Sequence, residues 1–345
     1  MKKLKMFTLA SVLPLLLLSA CGEESSGGDA EGEFQELDYP STVTIGTASQ
    51  GGTYYIWGGA FSSLLEDHLD ITSNVEVTGG PVHNIQLLGA GDAHLGMTTV
   101  GPLFEGYYGE GAWVGDEPYE DIRVIFPMYT TPFHWWSLEN TGVDNIQEHA
   151  GQRVGVGPSG GTPGEYNPQI YDALGIETGD QVQAGASDMT SQMLDGQLSH
   201  IGFSAGIPIS AVTEVEAQAS INIYGIDGED RETVMEALPY FTEYVIPGDT
   251  YGQLDGDLET IGMYNFGVVQ REANADFVYD LVKAYHENID QIISVHQSAE
   301  EAQDPEAILM NEEYPMHVGA IRYYEEIGID LPDEVYPEEY ESSEE

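Results

Sequence analysis

The segment Gly155-Val156-Gly157-Pro158-Ser159-Gly160-Gly161 fits two chemical patterns at once. Read as GxSxG, it presents Ser159 as a nucleophile on a strand-to-helix turn and needs an acid and a histidine downstream. His286, His296 and His317 follow, but in helical or acidic surroundings that do not suit a base at a strand end. Read as GxGxxG, it cradles a pyrophosphate and needs a ribose-binding acid at the end of the next strand. The next strand-like stretch, 181–184, ends without one. Both readings share a glycine loop ahead of Thr162-Pro163, a helix start with proline in its first turn. Free backbone N–H groups at such a start bind anions without any charged side chain.

The same device recurs. Ser49-Gln50-Gly51-Gly52-Thr53 precedes a helical pattern that begins at Tyr54, Thr78-Gly79-Gly80-Pro81 precedes another, and Ser204-Ala205-Gly206 a third. Four such loops at strand ends point to a ligand cleft, because α/β folds bind ligands outside the carboxyl ends of their strands. The hydroxyls expected to line it are Ser49, Thr53, Thr78, Thr98, Thr99, Ser159, Thr162 and Ser204. The glycines expected beside them are Gly51, Gly52, Gly79, Gly80, Gly160 and Gly161. Tyr54, His134 and Trp135 are candidates for an aromatic wall. The nine histidines show no metal-ligand spacing. No metal, cofactor or catalytic set is expected, and the chain is read as a non-enzyme.

Electrostatics narrow the ligand. The chain of 345 residues holds 60 acidic and 9 Lys or Arg residues, a net charge of −51. No basic stripe exists to neutralise phosphates, so nucleic acid is excluded as a partner. Lys2, Lys3 and Lys5 lie at the start; the others are Arg123, Arg153, Arg231, Arg271, Lys283 and Arg322, none in a glycine loop. A carboxylate ligand would therefore rest on backbone N–H groups and hydroxyls. An ammonium group on the ligand would be favoured by the acidic field, which tilts the expectation toward an amino acid over a dicarboxylate. Acid excess on this scale suits a saline or alkaline medium, where screening mutes self-repulsion.

The amino terminus reads as an address. Three lysines precede an apolar run from Met6 to Leu18, too short to span a bilayer comfortably, which ends in Leu18-Ser19-Ala20-Cys21. Residues 1–20 are expected to be a signal peptide. Cys21 is the only cysteine and is expected to be lipidated, placing the protein outside the cytoplasm on a membrane anchor. Residues 21–40 read as an acidic tether. Beyond them strands, glycine loops and helices alternate, the α/β class. They fall into lobe 1 over 41–131 plus about 261–330, lobe 2 over 132–260, and an acidic tail over 331–345.

Four segments resemble the TAXI-type solute-binding proteins of TRAP (tripartite ATP-independent periplasmic) transporters. They are TIGTASQGGTYYIWGGAFSSLL, VEVTGGPVHNIQLLGAGDAHLGMTT, MLDGQLSHIGFSAGIPISAV and HVGAIRYYEEIGI. The second carries TGG-x-x-x-N, which adds Asn84 to the candidate ligand contacts. Pro81 stands where the family usually has serine, His83 where it has an aromatic residue, and Thr98-Thr99 where it often has Gln-Ser. The resemblance implies a two-lobed, type II-like periplasmic-binding-protein fold with a hinge and an interlobe cleft. It implies a solute such as glutamate, glutamine or 2-oxoglutarate, delivered to an ion-gradient-driven permease by a monomeric receptor. The readings set beside it are a receptor for an ABC importer or sensor kinase, and a hydrolase using Ser159.

Overall fold

The computed structural model describes residues 36–340. The signal segment, Cys21 and the last five residues lie outside the described residues, as does most of the tether.

Glycine and proline punctuation sets the first half. Strand β1 (Thr42–Gly46) runs through a glycine loop into α1 (Thr53–Leu69), then β2 (Thr72–Glu76), α2 (Pro81–Gly89), β3 (Leu95–Thr99) and α3 (Val100–Tyr108). Strand β1 pairs in parallel with β2 and with β3, which leaves the loops at their carboxyl ends on one side. The chain then enters β4 (Ile122–Leu138), 17 residues long and buried at all but its last position. A strand covered on both faces has no reason to alternate polar and apolar residues. That is why Phe133-His134-Trp135-Trp136 belongs to one strand with Val124-Ile125-Phe126, although Pro127 and Pro132 interrupt the pattern.

The second half follows with β5 (Val154–Gly155), α4 (Thr162–Ala173), β6 (Gln181–Val182), α5 (Ala186–Leu194), β7 (His200–Ser204), α6 (Ser210–Glu216), β8 (Ile221–Tyr224), α7 (Gly228–Ala237) and β9 (Thr242–Ile246). Strand β10 (Leu258–Gln270) returns antiparallel to both β4 and β3. Helices α8 (Ala275–Glu287), α9 (Ile289–Val295) and α10 (Val318–Glu326) complete the order. The sheet runs β2-β1-β3-β10-β4-β7-β5-β6, with β8 beside β4 and β9 beside β10. Strands β4 and β10 are therefore the spine through which the chain passes between its cores. The amphipathic pattern over 277–294 suggests one long helix; the structure breaks it at Asn288, which ends α8 and precedes α9.

One core packs α1 and α8 on β4, centred on Phe61, Phe126 and Tyr285, whose rings stack at centroid distances of 4.3–5.7 Å. Two further cores flank the other half of the sheet, one around Phe133 and Trp135, one around Trp136 and Phe203. Buried asparagines pin the loops to the strands. Asn84 Nδ2 donates to the carbonyls of Thr47 and Met97, both at 2.8 Å. Asn167 Nδ2 donates to Gly202 O at 2.9 Å, and its Oδ1 accepts from Trp135 Nε1 at 3.0 Å.

Four of the six basic side chains among the described residues pair with the protein's own acids. Arg123 pairs with Glu339, Arg231 with Glu243 and Glu259, Arg271 with Asp121 and Glu272, and Arg322 with Asp276. Six histidines are buried: His134, His149, His200, His286, His296 and His317. His149 sits between the hydroxyls of Tyr171 (2.9 Å) and Tyr224 (2.5 Å). Burial pushes His134 and His317 down to about 4 and His149 and His286 down to about 3.

The unfolded chain takes up protons on these rings below its ordinary histidine pKa, whereas the folded chain does so only near pH 3–4. Stability is therefore complete above that ordinary value and falls with decreasing pH, each ring costing up to about 1.4 kcal/mol per pH unit. Thermal unfolding followed by circular dichroism in high salt should show a lower Tm at pH 5 than at pH 7. An equal or higher Tm at pH 5 would mean that relief of carboxylate repulsion dominates instead.

Candidate ligand-binding site

Three helix starts meet where the carboxyl ends of β1, β5 and β7 converge. Helix α1 begins after Gly52, α2 after Gly80 and α4 after Gly161, and none of the three N-caps has a side-chain hydrogen bond to the helix. Between them lies a cavity of about 40 Å³. Ser49, Gly52, Thr53, Tyr54, Gly79 and Gly80 line one side. Pro158, Gly161, Thr162, Phe203, Ser204 and Ala205 line the other, with Tyr129 and Thr131 of β4 between.

The first N–H groups of a helix have no acceptor within it, and in a buried place they must find one. The three helices differ in how far that need is met. At α2, Pro81 has no N–H, Val82 N–H donates to Gly160 O at 3.0 Å, and Asn84 N–H closes onto Gly80 O. The α2 start is thus consumed by the opposite loop. Helices α1 and α4 keep their leading amides at Thr53-Tyr54 and at Thr162. Ser204 is 5% exposed, and its Oγ has no hydrogen-bond partner among the described residues. A buried hydroxyl without a partner costs on the order of 1–3 kcal/mol unless a ligand or water satisfies it. The Tyr129 hydroxyl stays protonated: burial pushes its pKa far up, against the lowering effects of the Gly206 backbone and the Thr53 side chain.

Most contacts between the two sides use neutral groups. Thr53 Oγ1 donates to Gly206 O at 2.8 Å, Ser187 Oγ to Gln50 O at 3.1 Å, and Ser210 Oγ to Gly51 O at 2.8 Å. The hydroxyls of Thr99 and Thr162 lie 2.9 Å apart. Tyr166 OH donates to Glu105 Oε1 at 2.8 Å, joining α4 to α3. At the rim, backbone meets backbone. A Cβ on Gly79 would lie 2.5 Å from Ser159 O, and one on Gly80, at φ +125°, would lie 2.9 Å from the Gly161 Cα. Only glycine permits that approach.

Of the residues singled out in the sequence, Ser49, Gly52, Thr53, Tyr54, Gly79, Gly80, Gly161, Thr162 and Ser204 line the cavity. Gly51, Ser159 and Gly160 stand just outside, where the two sides meet. Thr78 and Asn84 are not on the cavity wall; Thr78 Oγ1 lies within hydrogen-bond distance of Thr47 O and Asn84 Oδ1, sharing its one proton between them, and the pair holds the loops in place. Thr98 and Thr99 are buried at the end of β3, with Thr99 reaching Thr162 rather than the cavity. His134 and Trp135 are corrections. Both are fully buried in β4, His134 against Tyr251 (2.9 Å) and Trp135 against Asn167, so neither forms a wall of the cavity.

The residues missed are Ala48, Tyr129, Thr131, Phe203, Ala205 and the prolines Pro81, Pro158 and Pro163. Tyr129 and Thr131 could have been found by reading 122–138 as one crossing strand, whose middle must face the cleft. The histidines considered for Ser159 are engaged elsewhere. His286 Nε2 meets Tyr324 OH, His296 Nδ1 meets Ser298 Oγ, and His317 Nε2 meets Ala273 O. Among the described residues no group of acids, histidines or cysteines is placed to hold a metal ion, and no helix is long and apolar enough to cross a membrane.

The same architecture occurs in solved structures. The periplasmic binding protein BugD matches with a TM-score of 0.54 at 15% identity, over 78% of this chain and 92% of that one. MatC from Rhodopseudomonas palustris, solved with bound malate, matches with a TM-score of 0.54 at 13% identity, over 83% of this chain and 96% of that one. The fold is the two-lobed α/β fold of periplasmic binding proteins. The NMT1-like family profile matches residues 45–328, and the chain belongs to that family.

Proposed function

We propose that the protein is an extracytoplasmic receptor that closes two lobes over a small organic carboxylate and hands it to a membrane permease. One observation carries this reading. Two uncapped helix starts and the unpartnered Ser204 hydroxyl face a single small cavity with no basic side chain on its wall. Helix dipoles and free amides favour an anion there by up to ~2 kcal/mol per helix end. The malate held by MatC is a carboxylate of this kind. His286, His296 and His317, the histidines considered as a base for Ser159, are bonded elsewhere, which supports a binding role over a catalytic one.

The segments shared with TAXI-type proteins support an ion-driven TRAP permease as the recipient. Glutamate, glutamine and 2-oxoglutarate are the solutes that this resemblance brings. The lobes are proposed to divide near 131 and 260, in the two spine strands. The lipobox at Leu18–Cys21 supports a lipid anchor on the outer face of the cell membrane. Such an anchor keeps the receptor beside its permease.

Closure over ligand depends on the glycine contact at the rim. Gly79→Ala puts a methyl group against the Ser159 carbonyl, so it should weaken carboxylate binding at least tenfold in calorimetry while leaving the ligand-free Tm within about 2 °C. Unchanged affinity would show that the rim need not close. For the anchor, cells fed radiolabelled palmitate should label the wild-type chain and not Cys21→Ser. Equal labelling of both would remove the lipoprotein assignment.

A further inference from the structure

The walls of the cavity say more about the ligand than that it is an anion. No Asp or Glu lines it, and neither does any Lys, Arg or His. An α-ammonium group would sit unpaired, and it would face the positive ends of α1 and α4. A buried cation without an anionic partner is strongly disfavoured. The acidic field of the whole molecule attracts cations at long range but offers none of its carboxylates inside.

A second carboxylate fares no better. It would need a second set of donors, and the third helix start is already consumed: Val82 N–H bonds to Gly160 O, and Pro81 has no N–H. Space points the same way. The cavity measures about 40 Å³, and a single water needs about 10–15 Å³ on the same measure, so the room equals roughly three or four waters. Besides the hydroxyl-bearing Ser49, Thr53, Tyr54, Tyr129, Thr131, Thr162 and Ser204, the wall is apolar: Ala48, Pro81, Pro158, Pro163, Phe203 and Ala205.

We infer that the cavity takes a short monocarboxylate without an ammonium group, of the size of lactate or pyruvate. Its carboxylate lies on the leading amides of α1 and α4 beside Ser204, and its short carbon end lies on the apolar wall. This rests on the receptor reading and narrows it, setting aside glutamate, glutamine and 2-oxoglutarate as best ligands.

The test is calorimetry on the full chain in detergent, unfolded in guanidinium to strip bound solute and refolded in high salt. The probes are lactate, pyruvate, glutamate, glutamine, 2-oxoglutarate and malate. Lactate or pyruvate should bind at least 100-fold more tightly than any of the other four, and Ser204→Ala should weaken that binding about tenfold with the far-ultraviolet circular dichroism unchanged. Tighter binding of glutamate, glutamine or a dicarboxylate would overturn the inference and leave the receptor reading standing. Silence with all six in folded protein would overturn both.

Discussion

Buried backbone amides at the start of a helix must have a partner. Here α1 and α4 end their approach to the same small cavity with glycine N-caps that offer none. Around that unmet demand the rest of the molecule is arranged. Parallel strands bring the loops to one side, asparagines hold the loops still, and the long spine strands place Tyr129 and Thr131 between them. A chain with a net charge of −51 would be a poor candidate to hold an anion through its overall field. In the proposed reading it does so locally, because neutral donors at close range outweigh screened charges at a distance.

The contact between the two sides follows the same economy of charge. Hydroxyls from Thr53, Ser187 and Ser210 donate to backbone carbonyls, and glycine backbones meet at the rim. Ion pairs are weak when exposed and costly when buried. These hydroxyl and backbone contacts avoid both penalties and keep their geometry in high salt, with Tyr166 on the Glu105 carboxyl as the exception. The few cations serve the scaffold instead, as in the paired Arg123 and Glu339, which tie the carboxyl-terminal segment to β4.

Much of the fold was legible because glycine and proline mark it. The loops before α1, α2 and α4 were readable from Gly51-Gly52, Gly79-Gly80-Pro81 and Gly160-Gly161-Thr162-Pro163, and nine candidate residues lie on the cavity wall. The failures share a cause. Strand β4 is buried on both faces, so its side chains carry no periodic signal, and Trp135 reads the same whether it packs a core or walls a cleft. Its partner Asn167 lies 32 residues away. Whether Thr78 and Asn84 touch ligand or brace a loop depends on which carbonyls they meet, which no local pattern encodes. The spent amides of α2 depend on Gly160, a residue of the opposite side.

The most direct measurement is amide hydrogen exchange with and without a saturating carboxylate. If unsatisfied helix starts hold the ligand, slowed exchange should concentrate in peptides covering 49–55 and 160–165, with a smaller effect at 203–206. Protection confined to other segments, or none at all despite measured binding, would contradict the account, because the ligand would then be held by something other than these amides.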